Sequence, residues 1–153
     1  MIIYGLMTAA IMNKPPKVIV DADAIIAQAN PYDMHHKTAG TISEALIKMN
    51  AQVIYPSTAI VESNAFIQRP LNSSASAYGT AVVFTNPEVQ VAEVNQQTLK
   101  TALKYFSPTT SKKNTLFDCI VAAVADEQKA DAIFSFDNFY RKKGFKLASE
   151  IVK

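Results

Sequence analysis

The sequence predicts an α/β fold, a three-layer sandwich in which a mainly parallel central sheet lies between helices. Three observations carry that prediction. Short β-branched strand signals alternate with helix signals along the chain. The first and last of these strands stop at an acid. No repeat, low-complexity block or long linker divides the sequence. In open α/β sheets, functional groups gather at the carboxyl ends of strands, so the strand-ending acids are the first candidates for chemistry.

Residues 1–16 read as an N-terminal lead, with Met7 or Met12 as an alternative start and Pro15-Pro16 setting it off from a domain over 17–153. The stretch MIIYGLMTAAIMN is too short to span a bilayer and has no charged segment before it. A transmembrane helix and a signal peptide are therefore not expected. Lys17-Val-Ile-Val20 is a strand signal ending at Asp21-Ala-Asp23. Ala24 to Ala29 continues as a short helix, broken at Asn30-Pro31. Ile42, Ala45, Leu46 and Met49 mark a second helix, and Gln52 to Tyr55 a second strand. Pro56-Ser57 opens a third helix with Ser57 as expected N-cap, and Glu62 follows among apolar residues.

Arg69 to Ala75 reads as a loop, and the periodicity of Ser76–Thr85 fits helix and strand equally. Glu88 to Val94 alternates as a strand, and Leu99, Ala102, Leu103 and Phe106 mark a helix. A polar, basic loop runs from Ser107 to Asn114. Phe117, Ile120, Val121 and Val124 then recur at the spacing of a helix pressed on a core. Asp131 to Asp137 reads as a buried strand, followed by a basic turn and an edge strand at Phe145–Leu147.

A chain of 153 residues, 49% hydrophobic and 18% charged, is long enough to bury one sizeable core. A net charge of +2 does not announce a nucleic-acid binder. The lysines between Lys100 and Lys113, and the cluster Arg141, Lys142, Lys143 and Lys146, read first as solvated surface. Cys119 is the only cysteine, which excludes an intrachain disulfide and suits a reducing compartment such as the cytoplasm. No Cys/His pattern suggests zinc.

Asp118 falls in the first turn of its helix, on a face otherwise occupied by Val121, Ala122 and Ala125. A carboxylate there must be paired, protonated or bound to a cation. The bland alternatives are concrete. Thr115-x-x-Asp118 fits a capping box, Asp137 fits a cap for the turn Asn138–Lys142, and Glu62 fits the edge of an apolar face. Yet Asp21, Glu62, Asp118 and Asp137 are all placed to point into one crevice at the strand ends, which four independent caps explain poorly.

Val18-Ile-Val-Asp21-Ala-Asp23, Val61-Glu62, Leu116-Phe-Asp118-Cys-Ile-Val-Ala-Ala123 and Phe134-Ser-Phe-Asp137 together resemble the PIN-domain ribonucleases, and most closely the VapC-like toxins of toxin–antitoxin pairs. The resemblance covers about Lys17 to Lys146. It implies hydrolysis of RNA with one or two Mg²⁺ or Mn²⁺ ions, a homodimer, and a protein antitoxin whose tail blocks the site. It implies that Asp21, Glu62, Asp118 and Asp137 form the acidic, metal-holding quartet, supported by Asp23 and Ser135. Lys112, Lys113, Arg141 and Lys142 would then meet RNA phosphates. Where the family often ends T-x-D-x-D-F, this chain has Ser135-Phe-Asp137-Asn138-Phe139 and lacks the second Asp. His35 and His36 are expected on a helix surface or in a cap.

Two other readings fit parts of the pattern. A binding module could keep this fold without turnover. Asp21-Ala-Asp23 also resembles the opening of haloacid-dehalogenase phosphatases, where the first Asp attacks phosphate; Ile25 and the absence of a later paired-acid motif speak against it. A receiver-like phospho-acceptor domain fits less well still, because no acid ends the middle strands and no suitable lysine ends the last.

Overall fold

In the computed structural model, which describes residues 14–152, β1 (Lys17–Val20), β2 (Gln52–Pro56), β3 (Gln90–Ala92) and β4 (Ala132–Phe134) form one sheet. Its order is β3-β2-β1-β4 and every pairing is parallel. Val18, Ile19 and Val20 are all fully buried. Successive strand residues point to opposite faces, so burial of all three means that helices cover both faces of the sheet. The fold is the expected α/β/α sandwich. The expectation of an alternative start falls on residues 1–13, outside the described residues.

The helices are α1 (Ala22–Ala29), α2 (His36–Lys48), α3 (Ser57–Gln68), α4 (Ser74–Val83), α5 (Gln96–Ala102), α6 (Leu116–Glu127), α7 (Phe139–Lys142) and α8 (Ala148–Ile151). The central helix, α6, packs on β1, β2 and β4. Its residues Cys119 through Ala125 are all buried, so this stretch is enclosed on every side; Phe117 of the predicted stripe, at the helix entry, is instead 43% exposed. Alanines at 122, 123 and 125 let neighbouring elements come that close. Lys129, at φ 51°, ends the helix, and Ala130 N–H returns to the Ala125 carbonyl (2.9 Å), turning the chain into β4.

Several elements differ from expectation for local reasons. The first helix starts two residues early, because the Asp21 carboxylate accepts from Ala22 N–H (2.7 Å) and serves as its N-cap. Ser57 is not an N-cap. Pro56 holds that position without a side-chain bond, and the Ser57 hydroxyl instead accepts from Val94 N–H (3.3 Å), tying α3 to the end of β3. The ambiguous segment is helical, with Ser73 as its cap. The edge strand expected at Phe145–Leu147 shrinks to one bridge, Ile133 to Leu147.

Candidate active site

Strand order reverses beside β1: β2 follows it on one side and β4 on the other. Such a switch point opens a crevice at the strand carboxyl ends. Asp21 leaves β1 there, and its N–H is held by the Phe134 carbonyl at the end of β4 (3.0 Å). Asp21 is 5% exposed. One carboxylate oxygen caps α1; the other accepts from the Tyr140 hydroxyl (2.7 Å) and the Ser135 hydroxyl (3.1 Å). Burial, then the neighbouring charge of Asp23, push its pKa well above the ordinary carboxylate range, against the opposing pull of Tyr140.

Asp23 stands in the first turn of α1 and faces the same loop. Its Oδ2 accepts from Phe136 N–H (2.7 Å) and from the Ser135 hydroxyl (2.9 Å). Its Oδ1 is buried without a partner. Ser135 has one hydroxyl proton for two carboxylates, so it satisfies one of them at a time. Burial raises the pKa of Asp23 as well. An unpaired buried oxygen beside a half-satisfied neighbour is an expensive arrangement unless something positive sits there.

The other three acids surround this pair. Asp118 accepts from Thr115 N–H (2.7 Å), so the predicted capping box is present, yet burial and the Asp137 charge still raise its pKa. Asp137 accepts from Phe139 N–H (2.9 Å), which is the predicted turn cap, and from the Asn114 side-chain amide (2.9 Å). Glu62, half-buried on α3, is pushed up to about 7 by burial and by the charges of Asp118 and Asp23. Capping and clustering are therefore not alternatives. Asp21, Asp118 and Asp137 each accept from a local backbone N–H with one oxygen and still belong to the same electrostatic cluster.

Among the described residues, the ion pairs are Lys104 with Asp126 and Arg141 with Glu150, so no cationic side chain neutralises these five acids. A cluster of hard oxygen donors with uncompensated charge and an orphaned Oδ1 fits a divalent cation such as Mg²⁺ or Mn²⁺ in its chemistry. As the side chains stand, no three acidic, histidine or cysteine residues among those described converge to enclose an ion. The fit is one of donor type and charge.

Beside the acids lies a cavity of about 540 Å³, lined among others by Asp23, Asp137, Lys113 and Lys142. Of the four basic residues expected to meet RNA, these two lysines face the acids. Arg141 is held by Glu150 (3.1 Å) and Asn138 (2.8 Å), and Lys112 lines a separate hollow with Leu103 and Phe106. A larger cavity of about 710 Å³ sits at the opposite end of the sheet, against Lys17, Gln52 and Asp131, and shares no residue with the acidic cluster.

Tyr140 and Asn114 carry no signal in the sequence that marks them as supports, and only the fold brings them to Asp21 and Asp137. His35 departs from its expected role. It occupies the N-cap position of α2 but makes no capping bond with its side chain, and its ring stacks on Phe136. The phosphatase reading needs Asp21 as an accessible nucleophile, and burial with both oxygens engaged argues against that.

A family model described as PIN domain matches residues 18–146. The crystal structure of Mycobacterium tuberculosis VapC20, described as a sarcin-ricin loop cleaving toxin, is similar in fold. It matches with a TM-score of 0.72 at 18% sequence identity, covering 84% of this chain and 95% of that one. No curated protein matches this chain.

Proposed function

The chain belongs to the PIN domain family, and from that premise we propose that it is a metal-dependent endoribonuclease of the toxin type. The observation that carries the reading is the group of five carboxylates at the strand-end switch point, in no ion pair among the described residues and with Asp23 Oδ1 left bare. Asp21, Glu62, Asp118 and Asp137 would hold Mg²⁺ or Mn²⁺, with Asp23 and Ser135 in support. The chemistry such an ion supplies when bound is activation of a water, neutralisation of the scissile phosphate and steadying of the leaving oxygen.

The chain's own residues prepare that site. Tyr140 and Ser135 orient Asp21 from behind, Asn114 and the Phe139 amide orient Asp137, and the Thr115 amide orients Asp118. Glu62 has no comparable tether and adjusts most freely. Lys113 and Lys142 attract the phosphate backbone toward the acids, which gives salt-sensitive affinity with little sequence information. A cytoplasmic setting, a homodimer and a protein antitoxin that covers the site complete the proposal.

The test is incubation of the purified protein with a mixed pool of structured RNAs, in Mg²⁺, in Mn²⁺ and in chelator, beside Asp118→Asn. Cleavage that requires metal and disappears in the variant is the expected result. Cleavage persisting in Asp118→Asn sinks the assignment, and metal binding without any cleavage points to the non-catalytic module.

A further inference from the structure

We infer that the His35–Phe136 pair is a stacking platform for one unpaired RNA base beside the acidic cluster, a subsite that rests on the ribonuclease reading above. The two rings lie parallel, 4.2 Å between centroids and 4° between planes. Phe136 is anchored, since its N–H donates to Asp23 (2.7 Å) and its ring meets the buried Phe134 edge-on (6.1 Å). His35 is held at its backbone, where N–H donates to the Asp33 carboxylate (2.8 Å). His35 is therefore the outer ring of a stack whose inner ring is tied to the acids. Both rings are half-buried and both line the cavity that also contains Asp137, Lys113 and Lys142.

That combination matches what a nucleotide presents. Unpaired bases are recognised by stacking on aromatic rings, histidine included, while neighbouring cations take the phosphates. Lys113 and Lys142 are in no ion pair among the described residues and are available to the backbone. On the same cavity wall Asn138, whose oxygen accepts from Arg141, keeps its amide NH2 for the base edge, while the Asn114 NH2 is held by Asp137. The volume, about 540 Å³, is of the size that takes a small ligand. Lys113 and Lys142, which line the same cavity, would be the groups that meet the phosphate of a base stacked on His35. Duplex RNA cannot offer such a base, so the subsite selects single-stranded or looped RNA.

The experiment measures binding, without turnover, of fluorescein-labelled oligoadenylate, oligouridylate and an abasic ribose-phosphate chain of equal length. It is run on Asp118→Asn and on the same protein carrying His35→Ala or His35→Phe. All three probes share phosphates, so their difference reads the base alone. The platform predicts about tenfold tighter binding of a base-bearing probe than of the abasic chain. His35→Ala should abolish that difference and His35→Phe should keep it. Equal binding of base-bearing and abasic probes, or a preference that survives His35→Ala, overturns the inference. Because no cleavage is involved, a base preference in a protein that cuts no RNA would leave the platform standing and remove the nuclease reading. Cleavage by a protein without base preference would do the reverse.

Discussion

Asp21 has a donor of its own on each oxygen, the Ala22 amide and the Tyr140 hydroxyl, and shares the Ser135 proton with Asp23, whose Oδ1 stays bare; this asymmetry separates a fixed carboxylate from one with capacity to spare. Tyr140 does most of the fixing. Its hydroxyl is buried and stays protonated, because burial and the adjoining carboxylates push its pKa well above the usual phenol value. Tyr140→Phe should retain the fold and weaken divalent-ion affinity or activity by about 10–100-fold, the usual consequence of removing a group that orients a ligand; titration of the variant with Mn²⁺ checks it. Glu62 supplies a second prediction. Its folded pKa of about 7 lies above its ordinary 4.5, so between those values the folded chain binds more protons than the unfolded one. Stability of the metal-free protein should therefore rise as pH falls from above about 7 toward 4.5. Thermal unfolding in chelator across that window measures it, and Glu62→Gln should flatten the slope. Local signals revealed Asp21, Asp23, Asp118 and Asp137, which end a strand or open a helix, whereas Glu62 stands inside α3 among apolar residues. Tyr140 was hidden because its partner lies 119 positions away, and His35 because its ring packs on a loop that only the fold brings near.

The elements follow the same division between local and distant causes. β1 and β4 were legible because Val, Ile and Phe run without interruption up to a polar stop, as strands buried on both faces do. α6 was legible by its period, but its enclosure on all sides was not, because that depends on how closely neighbours approach Ala122, Ala123 and Ala125. The helix over Ser74–Val83 was not legible, since small residues followed by β-branched ones suit either state and one buried residue, Ala77, decides little. The turn between α6 and β4 yields the prediction proper to this scale. Lys129 adopts φ 51°, a region that costs a residue bearing a Cβ about 1–2 kcal/mol, partly offset in glycine by its greater unfolded entropy. Lys129→Gly should stabilise the protein by up to about 1 kcal/mol in chemical denaturation and leave the acidic site untouched.

At the scale of the whole molecule, the sheet order places the ends of β1 and β4 side by side, and every acid singled out in the sequence arrives at that one end. Among the described residues, the cavity at the opposite end is lined by lysines and by the single acid Asp131. Charge is thus sorted by topology. Five carboxylates gather at one end while Lys113 and Lys142 line the adjoining cavity; burial first, and then mutual charge, raises four of the carboxylate pKa values, which a divalent cation would relieve. The central claim is that these acids hold such an ion. Calorimetric titration of Mn²⁺ into chelator-stripped protein, beside Asp118→Asn, tests it most directly. The account predicts saturable binding to the wild type and binding at least about tenfold weaker in the variant. A wild type that takes up no Mn²⁺, or a variant that binds it equally well, would contradict the account.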